Sequence, residues 1–136
     1  MASQILVATA LSRRLVLVLG ALSILTAAAA GETGNFTDAA LKAAQKAGKP
    51  ILVDITASWC PTCRAQKPIL SELIKRDKFR NVVVLEVDFD SQKDVVRSLN
   101  ARNQSTLIVF KGATEVGRSA GDTDAASIET LLSLAL

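Results

Sequence analysis

The sequence predicts an α/β fold in which a central mixed β-sheet of about four strands is flanked by helices. Short runs rich in Val, Ile and Leu alternate with amphipathic helical segments, and a glycine-containing turn joins the last two runs. The chain has 136 residues, of which 49% are hydrophobic, enough for one compact domain and a short accessory segment. We therefore expect one domain over residues 31–136, preceded by a targeting segment over residues 1–30.

Residues 1–30 are typical of an export signal. Arg13 and Arg14 precede an apolar stretch of 11 residues, 15–25, and four alanines end the segment at Ala30. A signal core usually has about 7–15 apolar residues, whereas a membrane span needs about 18. Cleavage near Ala30 would give a periplasmic or secreted protein; the alternative is an uncleaved anchor that holds the domain at the membrane, facing the periplasm. The arginine pair also resembles a twin-arginine signal.

Charge and composition exclude several classes of function. Arg13 and Arg14 supply two of the three net positive charges, and residues 31–136 carry 14 Lys and Arg against 13 Asp and Glu. Nucleic-acid binding normally needs a concentrated basic face, so we expect no nucleic-acid partner. Without histidine, Ser-His-Asp and Cys-His catalysis are excluded. One pair of cysteines supplies only half the ligands of a structural zinc site, which would also need carboxylates or a second subunit. We expect no cofactor, and membrane contact only if the N-terminal segment is retained.

The first helix is predicted to begin at a cap on Asn35 or Thr37 and to run to about Ala47. Gly48 and Pro50 then end it. Its apolar residues recur at helical spacing: Phe36, Ala40, Leu41 and Ala44.

A buried strand and a second helix are predicted next. Residues 51–55 form a run typical of a strand buried on both faces, with Asp54 inside it. The helix begins at Cys60, tolerates Pro61 in its first turn and is kinked at Pro68. Its inward face contains Leu70, Leu73 and Ile74.

The strand and helix pattern then repeats. Residues 81–89 contain a second buried strand. Ser91 is the predicted cap of a third helix that runs to about Leu99.

The chain is predicted to end in a hairpin and a helix. Strands at residues 106–110 and 115–119 flank a turn at Gly112. Asp122 or Asp124 caps the last helix, whose apolar residues are Ile128, Leu131, Leu132 and Leu134.

Cys60 and Cys63 are the strongest candidates for chemistry. Two cysteines three positions apart at a helix start lie on one side of the first turn, close enough for a reversible disulfide. The positive helix end favours an anion, so we expect a lowered pKa for the Cys60 thiol. Cys60 is then the nucleophile, and Cys63, deeper and less exposed, resolves the mixed disulfide. A permanent structural bridge is the alternative, but a disulfide closing so short a loop stabilises a fold little.

The segment Trp59-Cys60-Pro61-Thr62-Cys63, which follows the strand carrying Asp54, resembles the active-site turn of the thioredoxin family. The similarity covers nearly all of residues 35–136: Pro68 matches the helix-kinking proline of the family, and residues 87–90 and 106–112 are similar to its later strands and hairpin. The resemblance implies a thioredoxin fold. It also implies dithiol–disulfide exchange with protein thiol or disulfide substrates and with a redox partner.

Further site residues follow from this resemblance. Asp54 matches the buried carboxylate that handles the proton of the deeper cysteine, and burial should raise its pKa. The alternative is an acid satisfied by neighbouring hydrogen bonds with no catalytic use. Trp59, Pro61 and Thr62 are expected to contact substrate, although Trp59 could equally be a packing aromatic.

The loop Gln104-Ser105-Thr106 departs from the family, which has a cis-proline where this chain has Ser105. A cis peptide costs roughly 2.5–4 kcal/mol before other residues, against about 0.5–1 before proline, so we expect a trans Gln104–Ser105 peptide. In the family this loop faces the cysteines and pairs with the substrate backbone, which makes all three residues candidate substrate contacts. Ser105 either offers its hydroxyl to a cysteine sulfur or a bound ion, or caps the loop.

Two functions follow from the sequence. The first is an exported thiol–disulfide oxidoreductase, acting as a reductase because Pro61-Thr62 resembles the dipeptide of reducing enzymes that serve cytochrome c maturation. Family potentials span about −270 to −120 mV, so oxidation is the alternative direction. The second is a binding module of the same fold, whose cysteines form an inert bridge or hold Cu(I) or zinc with a partner.

Overall fold

The computed structural model describes residues 31–136, and the predicted signal segment lies outside them. Its strands are β1 Thr33–Asn35, β2 Pro50–Thr56, β3 Val83–Asp88, β4 Thr106–Lys111 and β5 Thr114–Ala120. They form one sheet in the order β1-β3-β2-β4-β5. β3 runs parallel to both β1 and β2, whereas β4 is antiparallel to β2 and β5. The predicted mixed sheet is confirmed, with one strand more than expected.

The helices of the described residues flank this sheet. They are α1 Asp38–Lys46, α2 Pro61–Ile74, α3 Lys93–Ser98 and α4 Ala125–Ser133, and a short 3-10 turn covers Asp77–Phe79. Pro68 lies inside α2 on its exposed side, and the helix continues beyond it to Ile74. Within residues 31–136, no helix has the length and apolar character that crossing a membrane requires.

β1 is the strand that the sequence did not predict. Its three residues, Thr-Gly-Asn, are all exposed and show no apolar alternation. They form a strand because they lie beside β3 at the edge of the sheet and pair with its backbone. Tertiary pairing, rather than local preference, therefore creates β1.

The structure decides between the alternative helix caps. The Thr37 hydroxyl accepts a hydrogen bond from the Ala40 N–H at 3.0 Å and caps α1, whereas Asn35 ends β1. Asp124 caps α4 by accepting the Ser127 N–H at 2.8 Å. In each pair, the residue immediately preceding the helix is the cap.

Ser91 is not a helix cap, and that prediction is wrong. Both its N–H and its hydroxyl donate to the Asp88 carboxylate at 2.7 Å. Gln92 occupies the capping position and makes no side-chain capping bond, so α3 begins at Lys93. Because the Ser91 hydroxyl donates to Asp88 at the end of β3, it does not hydrogen-bond to a backbone N–H of the helix.

Apolar side chains cover both faces of the sheet. Successive residues of a strand point to opposite faces, so β2 contributes Ile51, Val53 and Ile55 to one core and Leu52 to the other. The first core also contains Phe36, Ala44 and Val96, and the second contains Leu70, Leu73, Ile128 and Leu132. Asp54 shares the parity of Leu52 and therefore lies on the α2 and α4 side.

Candidate active site

The cysteine pair lies at the start of α2, just after the loop that follows β2. Cys60 is the N-cap residue of α2, Pro61 occupies the first turn, and Cys60 forms a disulfide with Cys63 across a Cα–Cα distance of 5.3 Å. The Cys63 N–H points at the Cys60 sulfur, with an N–S distance of 3.1 Å. This N–H, at the positive end of a 14-residue helix, can therefore stabilise a negative charge on the Cys60 sulfur.

Both cysteine side chains are buried in this disulfide form. Cys60 is 1% exposed and Cys63 is 3% exposed, so the greater exposure predicted for Cys60 is not found. Together with Ala57 they form a small apolar cluster against which Phe89 packs. Phe89 and Ser105 reach the cysteine pair from distant segments, so local sequence pattern could not predict this burial.

Ser105 lies directly against the disulfide. Its Oγ is 3.0 Å from the Cys60 sulfur and 3.1 Å from the Cys63 sulfur. No cis peptide occurs within residues 31–136, so the Gln104–Ser105 bond is trans, as predicted. Ser105 has a φ of 60°, a left-handed conformation uncommon for residues other than glycine. The hydroxyl therefore meets the sulfurs and does not cap the loop.

Gln66 on α2 holds this loop in place, and it was not among the site residues that the sequence predicted. The side chain is 1% exposed; its Nε2 donates to the Ser105 carbonyl at 3.3 Å and to the Asp122 carbonyl at 2.7 Å. Gln66 follows Cys63 by three positions and precedes Leu70 by four, which places it on the inward face of α2. An amide at a predicted core position was the signal that could have revealed it.

Asp54 is a buried acid with an incomplete set of hydrogen bonds. It is 3% exposed, and its Oδ1 has no hydrogen-bond partner among the described residues. The pKa of Asp54 is raised to about 7, chiefly by burial and also by the negative charge of Glu86, whereas the positive charge of Lys67 lowers it. The raised pKa expected from the sequence is confirmed, and the alternative of a fully satisfied structural acid is not supported.

Two cavities lie beside Asp54 and Cys63 and share part of their lining. One, of about 250 Å³, is lined by Asp54, Lys67, Glu86 and Leu70. The other, of about 630 Å³, is lined by Cys63, Lys67 and Glu86 among its residues. Lys67 and Glu86 line both, so the space beside the acid and the space beside the second sulfur share these two charged residues.

The remaining predicted substrate contacts differ in their exposure. Trp59 is 54% exposed and its indole N–H donates to Asp90 at 2.7 Å, so it is not a core aromatic. Pro61 is exposed, and Thr62 and Gln104 are half-buried beside the cysteines and Ser105 respectively. Thr106 is buried in β4, and its hydroxyl donates to the Asn103 carbonyl at 2.7 Å. Trp59, Pro61, Thr62 and Gln104 therefore offer surface near the disulfide, and the Thr106 side chain does not.

Comparison with known proteins gives one consistent result. The family model described as Thioredoxin matches residues 32–133. A thioredoxin H-type from Oryza sativa subsp. indica is 37% identical over 84 residues, covering 62% of this chain and 67% of that protein. A thioredoxin H-type from Fagopyrum esculentum is 40% identical over 78 residues, covering 57% of this chain and 66% of that protein. The alignments thus span about two thirds of the length of these relatives.

Solved structures show the same similarity. Trxlp from Edwardsiella tarda EIB202 superposes with a TM-score of 0.73 at 37% identity, covering 74% of this chain and 98% of that one. Thioredoxin O2 from Arabidopsis thaliana, in its oxidised state, gives a TM-score of 0.65 at 24% identity over 77% of this chain and 93% of that one. The second likeness concerns the fold alone.

Proposed function

The chain belongs to the thioredoxin family, and from that premise we propose that it reduces disulfides of exported proteins by exchange at Cys60 and Cys63. The disulfide at the start of α2, with the Cys63 N–H directed at the Cys60 sulfur, is the observation that carries the proposal. Thiol–disulfide oxidoreductase chemistry follows from family membership together with this cysteine pair. The reducing direction and the exported substrates are the proposed part.

The exchange has two balanced steps. In the first, the Cys60 thiolate attacks one sulfur of the substrate disulfide; the substrate S–S bond breaks, and its other sulfur leaves with the electron pair and takes up a proton. In the second, Cys63 gives up its proton and attacks the Cys60 sulfur of the mixed disulfide. The second substrate thiolate leaves, the substrate has gained two electrons, and Cys60 and Cys63 are oxidised to the disulfide.

Asp54 is the proposed acceptor of the Cys63 proton. Its pKa of about 7 makes its charged and neutral forms comparably populated at neutral pH, so it can take a proton and later return it. Lys67 and Glu86 line both the cavity beside Asp54 and the cavity beside Cys63, which supports proton transfer between the two groups. The residue therefore acts as a base in resolution and as an acid when the pair is reduced again.

The exchange is tested by reduction of insulin disulfides with dithiothreitol as the electron donor. We expect wild-type protein to accelerate the reaction and Cys60→Ser to abolish the acceleration. Cys63→Ser should also lose turnover and should accumulate a mixed disulfide at Cys60, detectable by mass spectrometry. Undiminished activity in Cys60→Ser, or no activity in the wild type, contradicts the proposal.

The reducing direction rests on the resemblance of Pro61-Thr62 to the dipeptide of reducing enzymes. An equilibrium titration of the pair against a dithiol buffer gives its reduction potential. A value near the low end of the range of about −270 to −120 mV supports a reductase. A value near the high end assigns the protein to oxidation instead.

Export rests on residues 1–30, with their paired arginines, short apolar stretch and alanine-rich end. We propose a periplasmic or secreted mature protein, and retention as a membrane anchor is the competing outcome. Cell fractionation combined with mass spectrometry of the mature N-terminus separates the two. A mature chain that begins near Gly31 supports cleavage, and a full-length chain in the membrane fraction supports the anchor.

A binding module that holds a soft metal is the second candidate. Ser105 Oγ lies close to both sulfurs, so three donor atoms converge at one point. Within residues 31–136, no group of three or more His, Cys, Asp or Glu side chains is placed to hold a metal. A bound Cu(I) or zinc ion would therefore need Ser105 or a partner chain as a ligand. Metal analysis of the reduced protein, with Ser105→Ala as its control, tests this candidate.

A further inference from the structure

Ser105 makes a contact that identifies it as a hydrogen-bond donor. In a disulfide neither sulfur carries a hydrogen, so the Ser105 O–H must be the donor toward the sulfurs that lie 3.0 and 3.1 Å from its oxygen. The side chain is buried together with both sulfurs. A hydrogen bond to an ionised acceptor is roughly twice as strong as one to a neutral acceptor, so this contact strengthens when a sulfur becomes an anion.

The loop that carries Ser105 is held on two sides. The Ser105 carbonyl accepts hydrogen bonds from the Gly121 N–H at 2.9 Å and from Gln66 Nε2 at 3.3 Å. The second Nε2 hydrogen bond, to the Asp122 carbonyl, ties the same amide to the segment before α4. Since Gln66 is on α2, which begins at the cysteine pair, it fixes the loop relative to the sulfurs.

We propose that Ser105 is a catalytic hydrogen-bond donor to the sulfur anions of the Cys60–Cys63 pair, and that Gln66 is the positioning residue that holds its loop in place. The inference rests on the exchange reaction proposed above and assigns two residues to it. Ser105 contacts the reacting atoms directly. Gln66 contacts neither sulfur and acts through the Ser105 backbone.

The donor acts whenever one of the two sulfurs carries the negative charge. When an incoming thiolate attacks the Cys60 sulfur to reduce the pair, the Cys60–Cys63 bond breaks and the Cys63 sulfur leaves with the electron pair as a thiolate. The Ser105 proton stays on its oxygen and hydrogen-bonds that anion. When the Cys60 thiolate attacks a substrate disulfide, the anion is instead on the Cys60 sulfur, which in the disulfide form lies at nearly the same distance from the Ser105 oxygen. Rotation of one hydroxyl therefore serves both sulfurs without movement of the loop.

This arrangement affects the thiol pKa and the reduction potential in predictable directions. A donor that favours the thiolate lowers the thiol pKa. It also stabilises the reduced form relative to the disulfide, which makes the pair a weaker reductant than it would be without the hydroxyl. Ser105 therefore adjusts the redox strength of the site.

The test removes the hydroxyl in two ways. Ser105→Ala keeps the Cβ atom and deletes only the oxygen, and Ser105→Gly also accepts the positive φ without strain and so guards against misfolding. The absorbance of the thiolate is titrated against pH in each reduced protein. We expect the lower thiol pKa to rise by about one unit, the effect of losing a hydrogen bond to a charged group.

The same variants are equilibrated with a dithiol buffer at a pH above both thiol pKa values. We expect the equilibrium constant for reduction to fall about tenfold, equivalent to a potential about 30 mV lower. If neither variant moves the pKa or the potential, the donor role of Ser105 is wrong.

The positioning role of Gln66 is tested by a double-mutant cycle. Gln66→Met keeps the approximate length of the side chain and deletes its amide. It should raise the thiol pKa in the wild-type background and leave it unchanged in the Ser105→Ala background. An equal shift in both backgrounds contradicts action through Ser105. Gln45→Met on α1, which packs on the opposite face of the sheet from α2, is the matched control and should leave the pKa unchanged.

Failure of this inference can be told apart from failure of the exchange reaction. Thiol titration and the buffer equilibrium need no protein substrate. Wild-type protein that does not reduce insulin, combined with shifted pKa values in the Ser105 variants, overturns the exchange and supports the donor. Active wild-type protein with unshifted variants supports the exchange and overturns the donor.

Discussion

Asp54 shows how one side chain acquires its chemistry from its surroundings. Its place on β2 puts the carboxyl group beneath α2, where burial disfavours the charged form and the negative charge of Glu86 acts in the same direction. Lys67 opposes both by attracting the carboxylate. The resulting pKa of about 7 suits a group that must both accept and donate a proton near neutral pH.

The raised pKa of Asp54 predicts that Asp54→Asn stabilises the fold in a pH-dependent way. Because the folded-state pKa is about 7 and the ordinary pKa of an aspartate is 3.8, the native state binds more protons than the unfolded chain between about pH 4 and pH 7. Wild-type stability therefore falls as the pH rises through this window. Above it, the folded protein bears the full free-energy cost of burying the ionised Asp54 carboxylate. Asn carries no charge, so we expect a gain of up to about 4 kcal/mol at pH 8 and almost none at pH 4.

Guanidinium unfolding of the oxidised proteins at the two pH values measures the gain. Asp94→Asn, on the exposed face of α3, is the matched control and should change stability little at either pH. A gain that is the same at pH 4 and pH 8 contradicts the account. In the insulin assay at pH 7, the Asp54 variant should lose activity by roughly 10²-fold, because the Cys63 proton loses its acceptor.

At the scale of elements, helix starts separate what local sequence decides from what it leaves open. Asn35 and Thr37 are both suitable caps for α1, and only Thr37 bonds to a backbone N–H in the first turn. Asn35 is used by β1, which exists because of its pairing with β3. Ser91 does not cap α3 for a similar reason, since its hydroxyl donates to Asp88.

This difference predicts that Thr37→Ala lowers the free energy of unfolding by about 1 kcal/mol, the usual cost of losing a side-chain cap. Asn35→Ala, two positions earlier, is the control and should cost less because its exposed side chain caps nothing. Thermal or denaturant unfolding of both variants measures the contrast. A larger loss of stability for Asn35→Ala than for Thr37→Ala would show that Thr37 is not the cap.

For the whole molecule, the disulfide is a small part of the stability and a large part of the function. It closes a loop with a sequence separation of only 3, whereas two apolar cores cover the faces of the sheet. In the chain-entropy model, so short a loop contributes about 2 kcal/mol or less. The fold should therefore persist when the pair is reduced.

We expect the reduced protein to be less stable than the oxidised protein by about 2 kcal/mol or less. Paired denaturant titrations with and without a dithiol measure this difference. Because folding and reduction are linked in one thermodynamic cycle, the sign also reports on direction. A reduced form clearly more stable than the oxidised form would indicate an oxidant, as in oxidases whose reduced state is favoured, and would contradict the proposed reductase.

Sequence alone determined the features that depend on neighbours along the chain. The strand at β2, the β4–β5 hairpin, the helix that begins at the cysteines and the burial of Asp54 all follow from local periodicity, turn residues and spacing. Tertiary structure decided the features that join distant segments. Among these are the edge strand β1 and the burial of Cys60. The contact between Ser105 and Cys60, 45 residues apart, and the hydrogen bond from Gln66 to the same loop also belong here. Hydrogen bonds between remote parts of the chain leave no periodic trace in the sequence, because each partner sits in an ordinary local pattern until folding brings them together.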